Sequence, residues 1–164
     1  FNISDVEETG KDFEENAILK AKNAFTKTNI SSVGDDSGLI VPAINNEPGL
    51  YSARYAGLNA TDSDNRNKLI SKLKDNKLES TYAYFFCCIV AVGIKGQNEI
   101  IVCFGKVEGE VRTLERGEKG FGYDPMFYPK GYSESFAELN SLEKNKISHR
   151  GQALKKLVDK LNKT

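Results

Sequence analysis

The fold turns on residues Val33 to Gly57, VGDDSGLIVPAINNEPGLYSARYAG. Two adjacent acids, Asp35 and Asp36, run directly into Ser37 and Gly38, and an apolar run, Leu39-Ile40-Val41, follows. A glycine lets backbone come close to a ligand, and neighbouring N–H groups can point at an anion. The acids can hold a hard divalent cation through oxygen. Carboxylates, a tight glycine and basic residues elsewhere therefore suit a metal-bound phosphate ester. Gly-Asp-Asp-Ser-Gly is also ordinary turn chemistry, and on this stretch alone a turn at the acids is the first expectation.

Working outward, the 164 residues fit one domain with a real core. Lys+Arg and Asp+Glu both number 23, so no bulk field draws the chain to nucleic acid or membrane. Positive charge for a polyphosphate must come from local residues and a metal. His149 is the single histidine, which excludes a histidine-rich zinc site. Cys87, Cys88 and Cys103 sit in apolar runs without CxxC spacing, as reduced thiols of an intracellular protein would. No apolar run approaches the ~20 residues that span a bilayer.

Before the acid pair, Phe1 to Val6 alternates like a short strand, and Glu7-Glu8-Thr9-Gly10 follows as a turn. Asp12 is a good N-cap for a helix from Phe13 to about Lys27, with Phe13, Ala17, Ala21, Ala24 and Phe25 on one face and Lys20 off it. After it, Thr61 to Asp64 caps a second helix to about Lys74. Thr81 to Ile94, apolar on both faces, reads as a central strand. Lys95 to Asn98 makes a hairpin to Glu99–Phe104, and a further strand lies near Lys106 to Thr113. Gly117 to Pro129, GEKGFGYDPMFYP, is a glycine- and aromatic-rich loop. It suits either a flat ligand held between rings or a loop pinned to the core by its aromatics. Ser148 opens a last helix that buries Leu154, Leu157, Val158 and Leu161. His149 and Arg150 fall in its first turn, where the helix dipole disfavours cations unless an anion or electron-rich ligand is present.

The stretches EETGKDFEENAILKAKNA, DDSGLIVPAINNEPGLYSARYAG, GFGYDPMF and EKNKISHRGQAL, in that order, resemble the Ham1-like inosine triphosphate pyrophosphatases. The resemblance implies an elongated single α/β domain with a central mixed β-sheet flanked by helices, in two lobes around a substrate cleft. It implies Mg²⁺-dependent hydrolysis of ITP, dITP or XTP to the monophosphate and pyrophosphate, by a cytoplasmic homodimer. By position, Glu7 and Asp36 look like the metal carboxylates, and Asp36 also like the group activating water. Ser37, Lys20 and, less surely, Asn16 match phosphate-side positions. Phe121, Gly122, Tyr123 and Asp124 match the base-binding loop, and Lys144, His149 and Arg150 match further substrate contacts. Arg150 or a loop N–H is the expected donor to a 6-oxo oxygen.

Nothing before Glu7 carries the family's Thr/Ser-x-Asn-x-x-Lys loop. The expectation is thus a family domain over residues 1–164 without its N-terminal strand and phosphate-binding loop, those parts lying upstream of Phe1. A binding module that lost the loop and kept the base pocket is the competing expectation. A generic Mg²⁺ phosphatase is a third; it leaves Phe121 to Asp124 and His149-Arg150 unused.

Overall fold

A computed structural model describes residues 3–4, 6–94 and 99–163. Helix α1 (Phe13–Thr28) starts where Asp12 accepts a hydrogen bond from the Glu15 N–H, with Glu14 and Glu15 in its first turn. These acids favour the positive end of the helix. Then come β1 (Ser32–Val41), β2 (Glu47–Pro48), α2 (Asp62–Asp75), β3 (Ser80–Val92), β4 (Ile100–Arg112), β5 (Phe127–Pro129), α3 (Ser141–Ile147) and α4 (His149–Asn162). The five strands form one sheet in the order β2-β1-β3-β4-β5. The α/β class and the central sheet agree with the sequence reading. Both edge pairs, β1–β2 and β4–β5, are antiparallel, so the mixed character expected from the sequence is not found there.

The acid pair is the main correction. Asp35 and Asp36 lie inside β1, not in a turn. Gly34 shows why the glycine-rich signal misleads: a Cβ there would fall 2.6 Å from both the Ala17 carbonyl oxygen and the Ala21 N–H nitrogen of α1. The glycine serves close helix–strand approach, which a side chain would block. Because successive strand residues point to opposite faces, the two acids are sent in opposite directions.

Elsewhere the strand expected near 99–104 and that near 106–113 are one strand, β4. The expected Lys95–Asn98 hairpin lies outside the described residues. So do Phe1, Asn2 and Asp5, while Ile3, Ser4 and Val6 adopt no regular structure. In α4 the buried stripe is His149, Ala153 and Leu157. Leu154 and Val158, expected inside, are 45% and 51% exposed.

The chain divides into two compact units. The first comprises residues 1–37, 87–105 and 149–164, with a core of Cys87, Ile89, Ala91, Ile101, Cys103, Ala153 and Leu157. All three thiols are buried and unpaired, and burial pushes those of Cys87 and Cys88 up to about 12. On its β4 segment, Lys156 and Lys160 reach from successive turns of α4 to the carbonyl oxygens of Phe104 and Val102, at 2.7 and 2.8 Å.

The second unit comprises residues 38–86 and 106–148. Its larger core holds Leu39, Val41, Leu69, Leu73, Val111, Met126 and a cluster of phenylalanines. Phe85 meets Phe127 edge-on at 4.8 Å, and Phe127 lies 5.0 Å from Phe136. Buried aromatic pairs of this kind each add ~0.5–1.5 kcal/mol beyond area burial.

Candidate active site

In the first unit α1 and β1 converge on Asp36, which is 9% exposed. Asn16, wholly buried on α1, donates from Nδ2 to Asp36 Oδ2 at 3.1 Å. Its Oδ1 accepts the Gly10 N–H at 2.8 Å. The Lys20 ammonium lies 2.9 Å from Asp36 Oδ1 and 2.7 Å from Glu8. Burial lowers the Lys20 pKa, but the bonds to Glu8 and Asp36 outweigh it and hold the group above its ordinary value.

Two carboxylates thus face one cation. Glu8 is the acid beside Asp36; Glu7, expected as the metal carboxylate, is exposed. The resemblance points to Glu7, whereas the acid that pairs with Lys20 alongside Asp36 is Glu8. Among the described residues no group of three or more His, Cys, Asp or Glu side chains could hold a metal. An oxygen-only pair fits a hard divalent ion that keeps waters and takes its other ligands from phosphate.

Asp35 points the other way. Its Oδ2 accepts from Nε and Nη2 of Arg150 at 2.9 and 2.8 Å, and Nη2 also donates to Ser37 Oγ at 3.1 Å. The anion that reconciles Arg150 with the first turn of α4 is therefore the protein's own Asp35. His149, beside it, is 7% exposed. Ser37, Lys20, Arg150 and Asp36 all belong to this unit, as do His149 and Asn16.

In the second unit the loop before β5 is closed by Asp124, whose Oδ2 accepts the Phe121 N–H at 2.8 Å and pairs with Lys144 of α3. The Asp124 and Lys144 side chains are 4% and 15% exposed. Burial raises the Asp124 pKa, against the pull of Lys144 and the Phe121 N–H. The Lys144 ammonium also stands 4.9 Å from the centroid of the Phe121 ring, and that residue is 61% exposed. Tyr123 is buried, its hydroxyl donating to the Ser52 carbonyl at 2.9 Å. The loop is therefore pinned by Tyr123 and presents Phe121.

Two expected donors are already committed: the Phe121 N–H to Asp124, and the Gly122 N–H to Asp62 at 2.7 Å. These two N–H groups are thus not open to a 6-oxo oxygen, and the cation beside the Phe121 ring is the Lys144 ammonium. Asp62 was not singled out from the sequence, where it reads only as part of a helix cap. A groove of about 400 Å³ between Tyr82, Glu108, Tyr128 and Tyr132 contains none of the expected site residues.

The model of the Ham1 family matches residues 1–160. The chain belongs to the Ham1 family. A relative from Bacillus anthracis, named dITP/XTP pyrophosphatase, is 46% identical over 160 residues, covering 98% of this chain and 79% of its own. The solved structure of a HAM1 protein from Coxiella burnetii superposes with a TM-score of 0.92 at 42% identity, covering 99% of this chain and 82% of that one. The Ham1 protein of Staphylococcus aureus gives a TM-score of 0.88 at 45% identity, with 97% and 81% coverage.

Proposed function

We propose that this chain is a hydrolase that splits purine nucleoside triphosphates bearing a 6-oxo group, such as dITP, ITP and XTP, into the monophosphate and pyrophosphate. Relatives bearing the name dITP/XTP pyrophosphatase, matched over nearly the whole chain, support the reaction. The observation that carries it here is Asp36, a nearly buried carboxylate oriented by Asn16 and Lys20 and faced by Glu8.

Asp36 orients the attacking water and takes its proton as the α-phosphorus is attacked. Asn16 keeps one carboxylate oxygen fixed, so the other is free for water once the Lys20 ammonium turns to phosphate. Lys20, Arg150 and Ser37 supply donors that offset charge developing on phosphate oxygens. Glu8 and Asp36 are the residues that would hold Mg²⁺, which supplies further neutralisation of the triphosphate when bound. Glu7 has only the resemblance in its favour as a ligand.

On the base side, the exposed face of Phe121 takes the purine ring, with Gly122, Tyr123 and Asp124 shaping the loop. The Lys144 ammonium donates to a 6-oxo oxygen, whereas a 6-amino group meets it donor to donor. An unpaired buried donor costs ~1–3 kcal/mol, enough for tenfold or greater discrimination. His149 is placed among the substrate contacts by its position beside Arg150. A homodimer rests on the resemblance alone, and a cytoplasmic location on the three reduced thiols.

The deciding experiment is a nucleotide panel with Mg²⁺, scored separately for pyrophosphate and phosphate. Pyrophosphate from dITP and XTP, at rates well above dATP, is expected. Phosphate as the product, or no preference between 6-oxo and 6-amino purines, overturns the proposal.

A further inference from the structure

Helix α2 begins behind a capping box in which Thr61 and Asp64 exchange side-chain and backbone bonds, so its first turn is held firmly. Asp62 and Arg66 lie one turn apart on it and so share a face. Both reach the same residue. Asp62 Oδ2 accepts the Gly122 N–H at 2.7 Å, and Arg66 Nη1 donates to the Gly122 carbonyl at 2.9 Å. Arg66 is steadied in turn by Glu115, whose Oε1 accepts from Nε at 3.0 Å.

A surface loop would ordinarily leave these backbone groups to water. Here one helix holds both polar groups of a single residue. Gly122 has φ +59, and a Cβ there would meet nothing within 4 Å, so glycine is required by backbone conformation rather than by space. With the Phe121 N–H bound to Asp124 and the Tyr123 hydroxyl bound to Ser52, the segment is fixed on both sides of Gly122 while the Phe121 ring stays exposed.

From this geometry we infer that Asp62 and Arg66 are positioning residues that set base preference, by fixing the Phe121 ring relative to the Lys144 ammonium. The inference rests on the reading that this loop receives the base. Its chemistry is simple. The Phe121 and Gly122 N–H groups are spent on carboxylates, so discrimination depends on where Phe121 lays the ring of the ligand against the donor at Lys144. A loop released by either anchor still offers an aromatic face but no fixed distance to that donor. Affinity and selectivity then fall together, while the groups around Asp36 are unaltered.

The test compares wild type with Asp62→Ala, Arg66→Ala and Asp62→Asn, in kcat and KM for dITP and dATP and in hydrogen exchange of the Gly122 amide. Asp62→Ala is expected to speed that exchange. Both alanine variants are expected to raise KM for dITP with kcat little changed, and to narrow the dITP-over-dATP preference about tenfold. Asp62→Asn keeps an acceptor oxygen and is expected to restore both. Arg66→Ala leaves the helix cap intact, so a fault shared by both alanine variants cannot be ascribed to a weakened cap. Faster exchange with unshifted KM and preference overturns the positioning role, as does unchanged exchange in Asp62→Ala. A wild type that releases pyrophosphate from no nucleotide overturns the proposed reaction instead.

Discussion

The two clusters of charge solve opposite problems. Around Asp35 and Asp36, the long cations Arg150 and Lys20 hold one exposed carboxylate, Asp35, and one nearly buried, Asp36. The Arg150 and Asp35 side chains are 37% and 40% exposed. Around Asp124, in the second unit, the cation and the carboxylate are both largely buried and the neighbouring N–H groups are already bonded. The Arg150–Asp35 pair can exchange its internal partners for a ligand at little cost, because exposed ion pairs are worth only ~0–1 kcal/mol. The second is set during folding and does not rearrange cheaply. Chemistry on a mobile phosphate chain suits the former, and selection of a rigid ring suits the latter.

Five substitutions and a pH scan bear on that contrast. Asp36→Asn should lower kcat by ~10²–10⁴ with circular dichroism unchanged, since it removes the proton acceptor and keeps the shape. Asp35→Asn, on the opposite face, should cost far less; equal losses would show that the two faces are not distinct in function. Lys144→Ala should lower stability by about 3 kcal/mol in urea unfolding, because it strands a buried carboxylate. Lys20→Ala should cost no more than ~1 kcal/mol in the same assay, its pair being part-exposed. A larger loss for Lys20 than for Lys144 would reverse the assignment of rigid and exchangeable clusters.

Arg150→Ala should reduce kcat/KM for dITP and dATP by similar factors, about tenfold, because Arg150 is bound among Asp35 and Ser37 rather than beside the ring loop. A selective loss for dITP would place it in base recognition after all.

The smallest effects are in pH. Lys20 has a folded pKa above its ordinary value near 10.5, so its contribution is complete below that value and lost as pH rises through the raised one. Asp124 also has a raised folded pKa. Its contribution is complete below its ordinary value near 3.8 and declines as pH rises through the folded value. Stability of Lys20→Gln and Asp124→Asn relative to wild type should therefore change with pH at opposite ends of the scale. Identical pH dependence in the two comparisons would count against the distinction.

Local signals made much of this legible in the sequence. Asp12 announced α1, Thr61 to Asp64 announced α2, and the doubly apolar run announced β3, because caps and burial patterns are short-range. The acid pair was harder. Gly34 and Gly38 mimic a turn, and only the packing of α1 on Gly34 shows that one of them serves close approach. The partners of the acids were out of reach for the same reason: Arg150 lies 115 residues from Asp35. The resemblance points to Glu7, and that Glu8 is the acid paired with Lys20 shows only in the packing of α1. On α4, Leu154 and Val158 looked buried because the apolar pattern permits two overlapping stripes, and Ala153 marks the one that packs.

The two lysines on the carbonyls of Val102 and Phe104 have a consequence for the protein in concentrated solution. Among the described residues β5 pairs with Gly109 to Val111 of β4, and the carbonyls of Val102 and Phe104 lie outside that register. Lys156 and Lys160 occupy both and set positive charge along the rim, which makes it a poor template for a stray strand. The double variant Lys156→Ala, Lys160→Ala should keep its fold yet scatter more light as concentration rises. Unchanged scattering would mean that the rim is guarded by something other than those ammonium groups.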